Sequence, residues 1–237
     1  MPSILTAVAG RGSVAVYVAG LVAFLLLYFS FAGLGWWISR KLLPAWGVGA
    51  IVDTRPLRRH QIANEIRWSL LSIAVFAGYG WLTTKAYLHG WVDVAWQASS
   101  VRIAADLIIL LVWNELHFFI CHRLLHTSWL YRDAHRIHHE SVTPTPFSTY
   151  SFHWLESALL GSVMITAMMW HTFSIWALLL LPVMSLLFNT IGHGNYNVFA
   201  GTMRRSASVE HANHHRRVSG NFGFYLPVLD RLFGTRL

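Results

Sequence analysis

The chain of 237 residues is 55% hydrophobic and 12% charged, and its twelve tryptophans and fourteen phenylalanines add to the apolar bulk. A soluble domain carries roughly a quarter charged residues, so this composition excludes an ordinary soluble globule and indicates a membrane protein. The formal charge of +8 comes without a clustered Lys/Arg stretch or a nucleic-acid reading motif; it reads as a positive-inside bias with headgroup contact, and nucleic acid is excluded as a partner.

In chain order, the opening "MPSILTAVAGRGS" lacks a basic n-region and a cleavage site, so the first apolar run reads as a retained anchor. That run, residues 14–38, is long enough for a ~30 Å hydrocarbon core, and Trp36, Trp37, Arg40 and Lys41 form an interfacial stop. A polar loop with Arg55, Arg58, Arg59 and Arg67 precedes a second span at 68–88, and a third covers about 101–120. The third then gathers Asn114, Glu115, His117, His122, Arg123 and His126, the pattern of a helix that leaves the membrane while still helical. Asp106 and His117, eleven residues apart, share a helix face and read as a buried pair or as neighbours of a site. Residues 155–191 are apolar again. "WHTFS" at 170–174 divides them into a hairpin with His171 at its tip, crossing fully or re-entering, and Pro182 is expected to kink the second arm.

Basic residues at 40–67, 123–136 and 204–236 place those segments on the cytoplasmic side. The expected fold is all-α: a polytopic membrane helical bundle of four to five spans or re-entrant arms, with a cytoplasmic helical cap. The N-terminal anchor spans occupy 1–113. A histidine-box catalytic region occupies 114–237, including the membrane hairpin.

The histidines carry the chemistry. His122 and His126, four apart, lie on one face of a helix. In "HRIHH", His135 faces with His138 and His139, while these two diverge by about 100°, so one helical turn offers imidazoles to two neighbouring metals. "HANHH" repeats the device with His211, His214 and His215; His193 stands alone after the hairpin, and His153 opens "HWLE" with Glu156. His60, His89 and His171 read as satisfied core or interface residues, and Cys121 as a packing residue rather than a ligand. Nine to ten imidazoles suffice for two ions with roughly four or five each. All-nitrogen ligation suits iron, zinc, copper or nickel. Two ions with open positions beside a bilayer point to oxygen chemistry on a lipid, a task for iron.

These residues resemble the fatty acid hydroxylase/sterol desaturase superfamily of integral-membrane di-iron oxygenases. The resemblance runs from "WNELHFFICHRLLH" through "LYRDAHRIHHESVTPTPFSTYSFHWLE" to "HANHHRRVSGNFGFYLPVLDRLFGT". It implies that His122, His126, His135, His138, His139, His193, His211, His214 and His215 ligate two iron ions, with zinc able to substitute in a purified preparation. Asn189 stands where some relatives have histidine; it either ligates through its carbonyl oxygen or leaves the position to water. For His153, Glu156 and Glu115, direct ligation and hydrogen bonding to the ligands both stay open. Trp154 replaces the proline of the relatives' H-P-x-E, and Asp230 and Arg231 are expected to lock the C-terminal cap.

The implied function is O₂-dependent hydroxylation or desaturation of a membrane lipid C–H bond. Without a nucleotide-binding fingerprint, electrons must come from a ferredoxin, cytochrome or reductase. The pairs Arg204–Arg205 and Arg216–Arg217 can receive such a donor, although headgroup contact is the simpler reading. Two alternatives are a histidine-rich metal transporter, which needs ligands along its spans, and a non-catalytic metal-binding scaffold.

Overall fold

In the computed structural model, described here over residues 13–202 and 206–237, long apolar helices form a bundle whose one end carries the short elements. The Arg204–Arg205 pair lies outside the described residues. Helix α1 (Ser13–Trp37) has no charged residue, and after a π-helical segment (Ile38–Leu42) it ends in a short turn that begins Leu43-Pro44, where proline's missing N–H costs nothing. Helices α2 (Gln61–Leu88) and α3 (Ser100–Leu125) follow, the latter capped by Ser99 Oγ, which accepts from the Arg102 amide at 3.2 Å.

The expected hairpin has unequal arms. Its first arm breaks at Ser162 into α5 (Trp154–Gly161) and α6 (Val163–Met168); its second is α7 (Ile175–Gly192), which continues through Pro182. At 1.5 Å per residue the first arm rises about 22 Å, short of a ~30 Å core. Among the described residues three segments are long and apolar enough to cross a membrane: Val14–Ala45, Ser100–Leu125 and Ile175–Gly192. Helix α2 contains the expected second span and is long enough at about 42 Å, but is less apolar than those three. Side chains such as Val101 (78% exposed) and Val112 (65%) present α3 outward, as a lipid-facing stripe requires.

The far end is closed by a two-residue parallel pairing of β2 (Val94–Ala95) with β3 (Phe173–Ser174). Buried Asp106 ties the hairpin tip there, accepting from Arg102 Nε at 3.0 Å, His171 Nε2 at 3.1 Å and the Ser174 amide at 2.7 Å. Asp106 and His117 therefore do not pair. Eleven residues bring them to one face but separate them by about 16 Å along the axis, and His117 bonds Ser162 Oγ at the α5–α6 break instead. His171 is satisfied as expected. His60 and His89 are exposed, His60 at a left-handed φ of 62° before α2 and His89 stacked on Trp91.

The near end holds α4 (128–139, with a π-helical segment at Tyr131–His135), a 3₁₀ turn (Pro146–Tyr150), α8 (Ala207–Arg217) and α9 (Val228–Leu232). An antiparallel pairing of β1 (Ala50–Ile51) with β4 (Tyr196–Asn197) fastens the loop after α1 to the segment between α7 and α8. Gly35 lets α1 approach: a Cβ there would lie 2.6 Å from Thr190 Cγ2 of α7 and 3.4 Å from Pro146.

Glu65 anchors this end to α2. Its buried carboxylate accepts from Gln61 Nε2 (2.8 Å), Ser141 Oγ (2.7 Å) and Thr145 Oγ1, so the chain leaving α4 is pinned to the start of a long helix. Glu65→Ala strips three buried donors of their acceptor and is expected to cost about 3 kcal/mol. Thermal unfolding in detergent measures this, and an unchanged midpoint contradicts the anchoring role.

Candidate metal centre

Nine histidines converge at the near end in two groups. His122, His126, His135, His139 and His214 offer five ring nitrogens within 4.8 Å of one another; His138, His193, His211 and His215 offer four. The helical spacing explains the division. Pairs four apart share a face, so His122/His126 and His135/His139 stay together in the first group and His211/His215 in the second. The remaining member of each H-x-x-H-H is adjacent to one of the pair and points about 100° away. His138 thus leaves α4 for the second group, and His214 leaves α8 for the first. The two groups touch, with the His139 and His215 rings 4.7 Å apart.

The ring tautomers follow from the outer partners. His135 Nδ1–H donates to Glu156 Oε1 at 2.8 Å, His122 Nδ1–H to the Phe222 carbonyl at 2.9 Å, His214 Nδ1–H to the Gly220 carbonyl at 2.7 Å and His193 Nδ1–H to the Asn189 carbonyl at 2.9 Å. Each leaves a bare Nε2 lone pair aimed inward. His135 Nε2 lies 3.1 Å from both His126 Nε2 and His139 Nε2, and His193 Nε2 lies 2.9 Å from His211 Nε2 and 3.4 Å from His138 Nε2. Nitrogens about 2.1 Å from a shared ion, at angles between octahedral and tetrahedral, are separated by roughly 3.0–3.4 Å. His214 Nε2 is buried with no hydrogen-bond partner at all. Converging lone pairs and an orphaned acceptor are what a cation resolves, so the residues fit a pair of metal ions.

Burial keeps these rings neutral. Desolvation, reinforced by neighbouring imidazoles, holds His135, His138, His139, His211 and His215 well below the ordinary histidine value. His193 and His214, where a backbone carbonyl partly offsets burial, are lowered to about 4. Metal binding needs neutral imidazole, so these rings are ready to bind without losing a proton.

Of the residues for which ligation stayed open, His153, Glu156 and Glu115 lie outside both groups. Glu156 orients His135. Asn189 donates to the Thr149 carbonyl through Nδ2 (3.2 Å), accepts His193 through its backbone oxygen, and lines the small pocket beside His138, His193 and His211. Glu115 accepts from the Phe224 (3.0 Å) and Tyr225 (2.6 Å) amides. His153 caps α5 and packs near Trp68. Cys121 packs beside His117, away from the nitrogens.

Asp230 does lock the C-terminal segment: its carboxylate accepts from the Phe222 and Gly223 amides, each at 2.8 Å, and from Thr235 Oγ1. Among the described residues the Arg231 side chain makes no ion pair. The acceptors for His122 and His214 are main-chain carbonyls, which no residue type advertises in a sequence. The Gly220 position does carry a signal. Its φ of +66° suits glycine, and a Cβ there would collide with the Thr235 carbonyl. Val218, a β-branched residue at φ 57°, ends α8 and begins the reversal that brings the Gly220 carbonyl to His214.

Comparisons with known proteins agree with this arrangement. Over 207 residues the chain is 25% identical to a cholesterol 25-hydroxylase-like protein of Danio rerio, covering 76% of this chain and 78% of that one. It is 26% identical to a Delta(7)-sterol 5(6)-desaturase of Schizosaccharomyces pombe (68% and 46% covered) and 30% identical to a very-long-chain aldehyde decarbonylase of Oryza sativa (56% and 53%). The chain thus spans about half the length of the latter two. No solved structure matches it. Residues 107–235, more than half the chain and all nine converging histidines, match the fatty acid hydroxylase family. The chain belongs to that family, within the fatty acid hydroxylase/sterol desaturase superfamily, and is an integral membrane protein.

Proposed function

We propose that this protein is a membrane oxidoreductase that uses two histidine-held iron ions and O₂ to hydroxylate or desaturate a lipid C–H bond. The observation that carries this reading is the gathering of nine ring nitrogens into two adjoining groups at one end of a lipid-facing bundle. The relatives are named as a hydroxylase, a desaturase and a decarbonylase, which supports lipid oxidation and leaves the product to residues outside the boxes. Iron supplies the O₂ activation when bound, with electrons from an external donor such as a ferredoxin, cytochrome or reductase.

The chain's own residues do the rest. Five imidazoles would hold the first ion and four the second, so the second group supplies fewer protein ligands and would leave more room for O₂ or substrate. Glu156 holds the proton on His135 Nδ1, which fixes that ring and raises its basicity. The Phe222, Gly220 and Asn189 carbonyls do the same for His122, His214 and His193. A pocket of ≈ 10 Å³ lined by His122, His135, His138, His193 and His211 has room for about one water-sized molecule, which keeps bulk solvent from the reacting centre. The exposed Arg123, Arg132, Arg136, Arg216 and Arg217 form a basic surface on the same end; we assign it to the cytoplasmic side, facing anionic headgroups and the electron donor. The transporter alternative needs ligands strung along the spans, and these nine sit at one end.

Protein purified with iron is expected to carry two ions per chain and, once reduced, to couple O₂ consumption to an oxidised lipid. Bound metal with no O₂ consumption supports the scaffold alternative instead. Glu156→Gln weakens the grip on His135 and is expected to lower metal affinity at the first group about 10- to 100-fold while the second holds; equal loss at both sites contradicts this assignment. Because burial keeps the rings unprotonated through the ordinary histidine pKa of about 6.5, metal content should persist below pH 6.5 and be lost as pH falls toward the lowered value of about 4. Release centred at pH 6.5, followed by metal analysis across a pH series, contradicts it.

A further inference from the structure

A second, larger cavity of ≈ 520 Å³ adjoins the histidine pocket, and the two share Phe118, Asn189 and His211 as walls. His211 belongs to the four-histidine group. The large cavity therefore meets the centre at its second group. The rest of the lining is apolar at Phe188, Phe224, which packs on Phe118 with ring centroids 4.6 Å apart, and Leu226, and charged at Glu210, Asp230, Arg231 and Arg236.

Three of those four charges are already satisfied. Glu210 accepts from Arg236 Nη2 and from Asn221 Nδ2, each at 3.0 Å. Asp230 is absorbed by two backbone amides and the Thr235 hydroxyl. Among the described residues Arg231 makes no ion pair, and its side chain is exposed at the cavity. A guanidinium with no carboxylate partner beside an apolar wall suits an oxyanion, which it can bind through two parallel hydrogen bonds.

We infer that this cavity binds an acyl lipid with an oxyanion head, a carboxylate or a phosphate. The head rests on Arg231, and the chain lies along Phe224, Leu226 and Phe188 toward the Phe118–Asn189–His211 wall. The distance from Arg231 to that wall then sets which carbon reaches the second metal group, so oxidation is counted from the head. This inference rests on the proposed oxidase reading for its chemistry but not for its binding.

The test is photocrosslinking of metal-loaded protein in detergent with three probes of similar size: a photoreactive fatty acid, a photoreactive lysophosphatidic acid and a photoreactive sterol. The fatty acid or the phosphate probe is expected to label the cavity walls, the better of the two identifying the head. Arg231→Gln should weaken that labelling at least 10-fold with metal content unchanged, and Arg231→Lys should restore part of it. Labelling of the cavity by the sterol alone overturns the inference, as does labelling by any probe that is indifferent to Arg231→Gln. Arg231-dependent binding without O₂ consumption leaves the inference standing and removes the oxidase reading. Oxidation of a neutral sterol untouched by the substitution does the reverse.

Discussion

Four of the nine converging imidazoles have their Nδ1 proton held by an outer acceptor and so turn bare Nε2 lone pairs on the rest, and the near end of this protein is arranged around that condition. Burial removes the option of protonation, and outer partners on Nδ1 remove the option of turning several rings into mutual hydrogen bonds. A metal ion satisfies these converging nitrogens together, including His214 Nε2, which is left without a hydrogen-bond partner among the described residues. Folding and metal binding are then coupled, because helices α3, α4 and α8 each bring rings that are uncomfortable without the others.

Holding those rings in register falls to groups that never meet the centre. Asp230 and Glu115 together fasten residues 222–225 by their backbone amides, and through Phe222 that loop reaches His122. Glu65 performs the same service on the opposite side, tying the chain after α4 to α2. Three carboxylates thus act as acceptors for the frame, while only Glu156 touches a converging ring. This division keeps negative charge out of the nitrogen shell. It also gives each of the three frame carboxylates several donors.

The bundle contributes position rather than chemistry. The apolar helices α3 and α7 end beside the nine histidines, so under the proposed function the centre would lie where a bilayer lipid and an electron donor can both come near. The far end, by contrast, is closed by Asp106, Arg102, His171 and Ser174, polar groups that satisfy one another. The polarity of the molecule, sealed at one end and reactive at the other, is already present in the placement of its histidines.

Periodicity alone determined which histidines could act together. Side chains three or four apart share a helix face and adjacent ones diverge, whatever the tertiary fold, so each H-x-x-H-H element could offer imidazoles to two neighbouring metals. Apolar run lengths likewise determined the helical, membrane-embedded class, because only a helix satisfies its own backbone in lipid. Tertiary structure decided which pairs meet: His214 with His122 rather than with His211, and Asp106 with the hairpin tip rather than with His117. It also decided the short first arm of the hairpin and the anchoring by Glu65. Local spacing is fixed by the helix, whereas contacts between segments a hundred residues apart depend on loop reversals and main-chain acceptors, and those leave little mark on residue type.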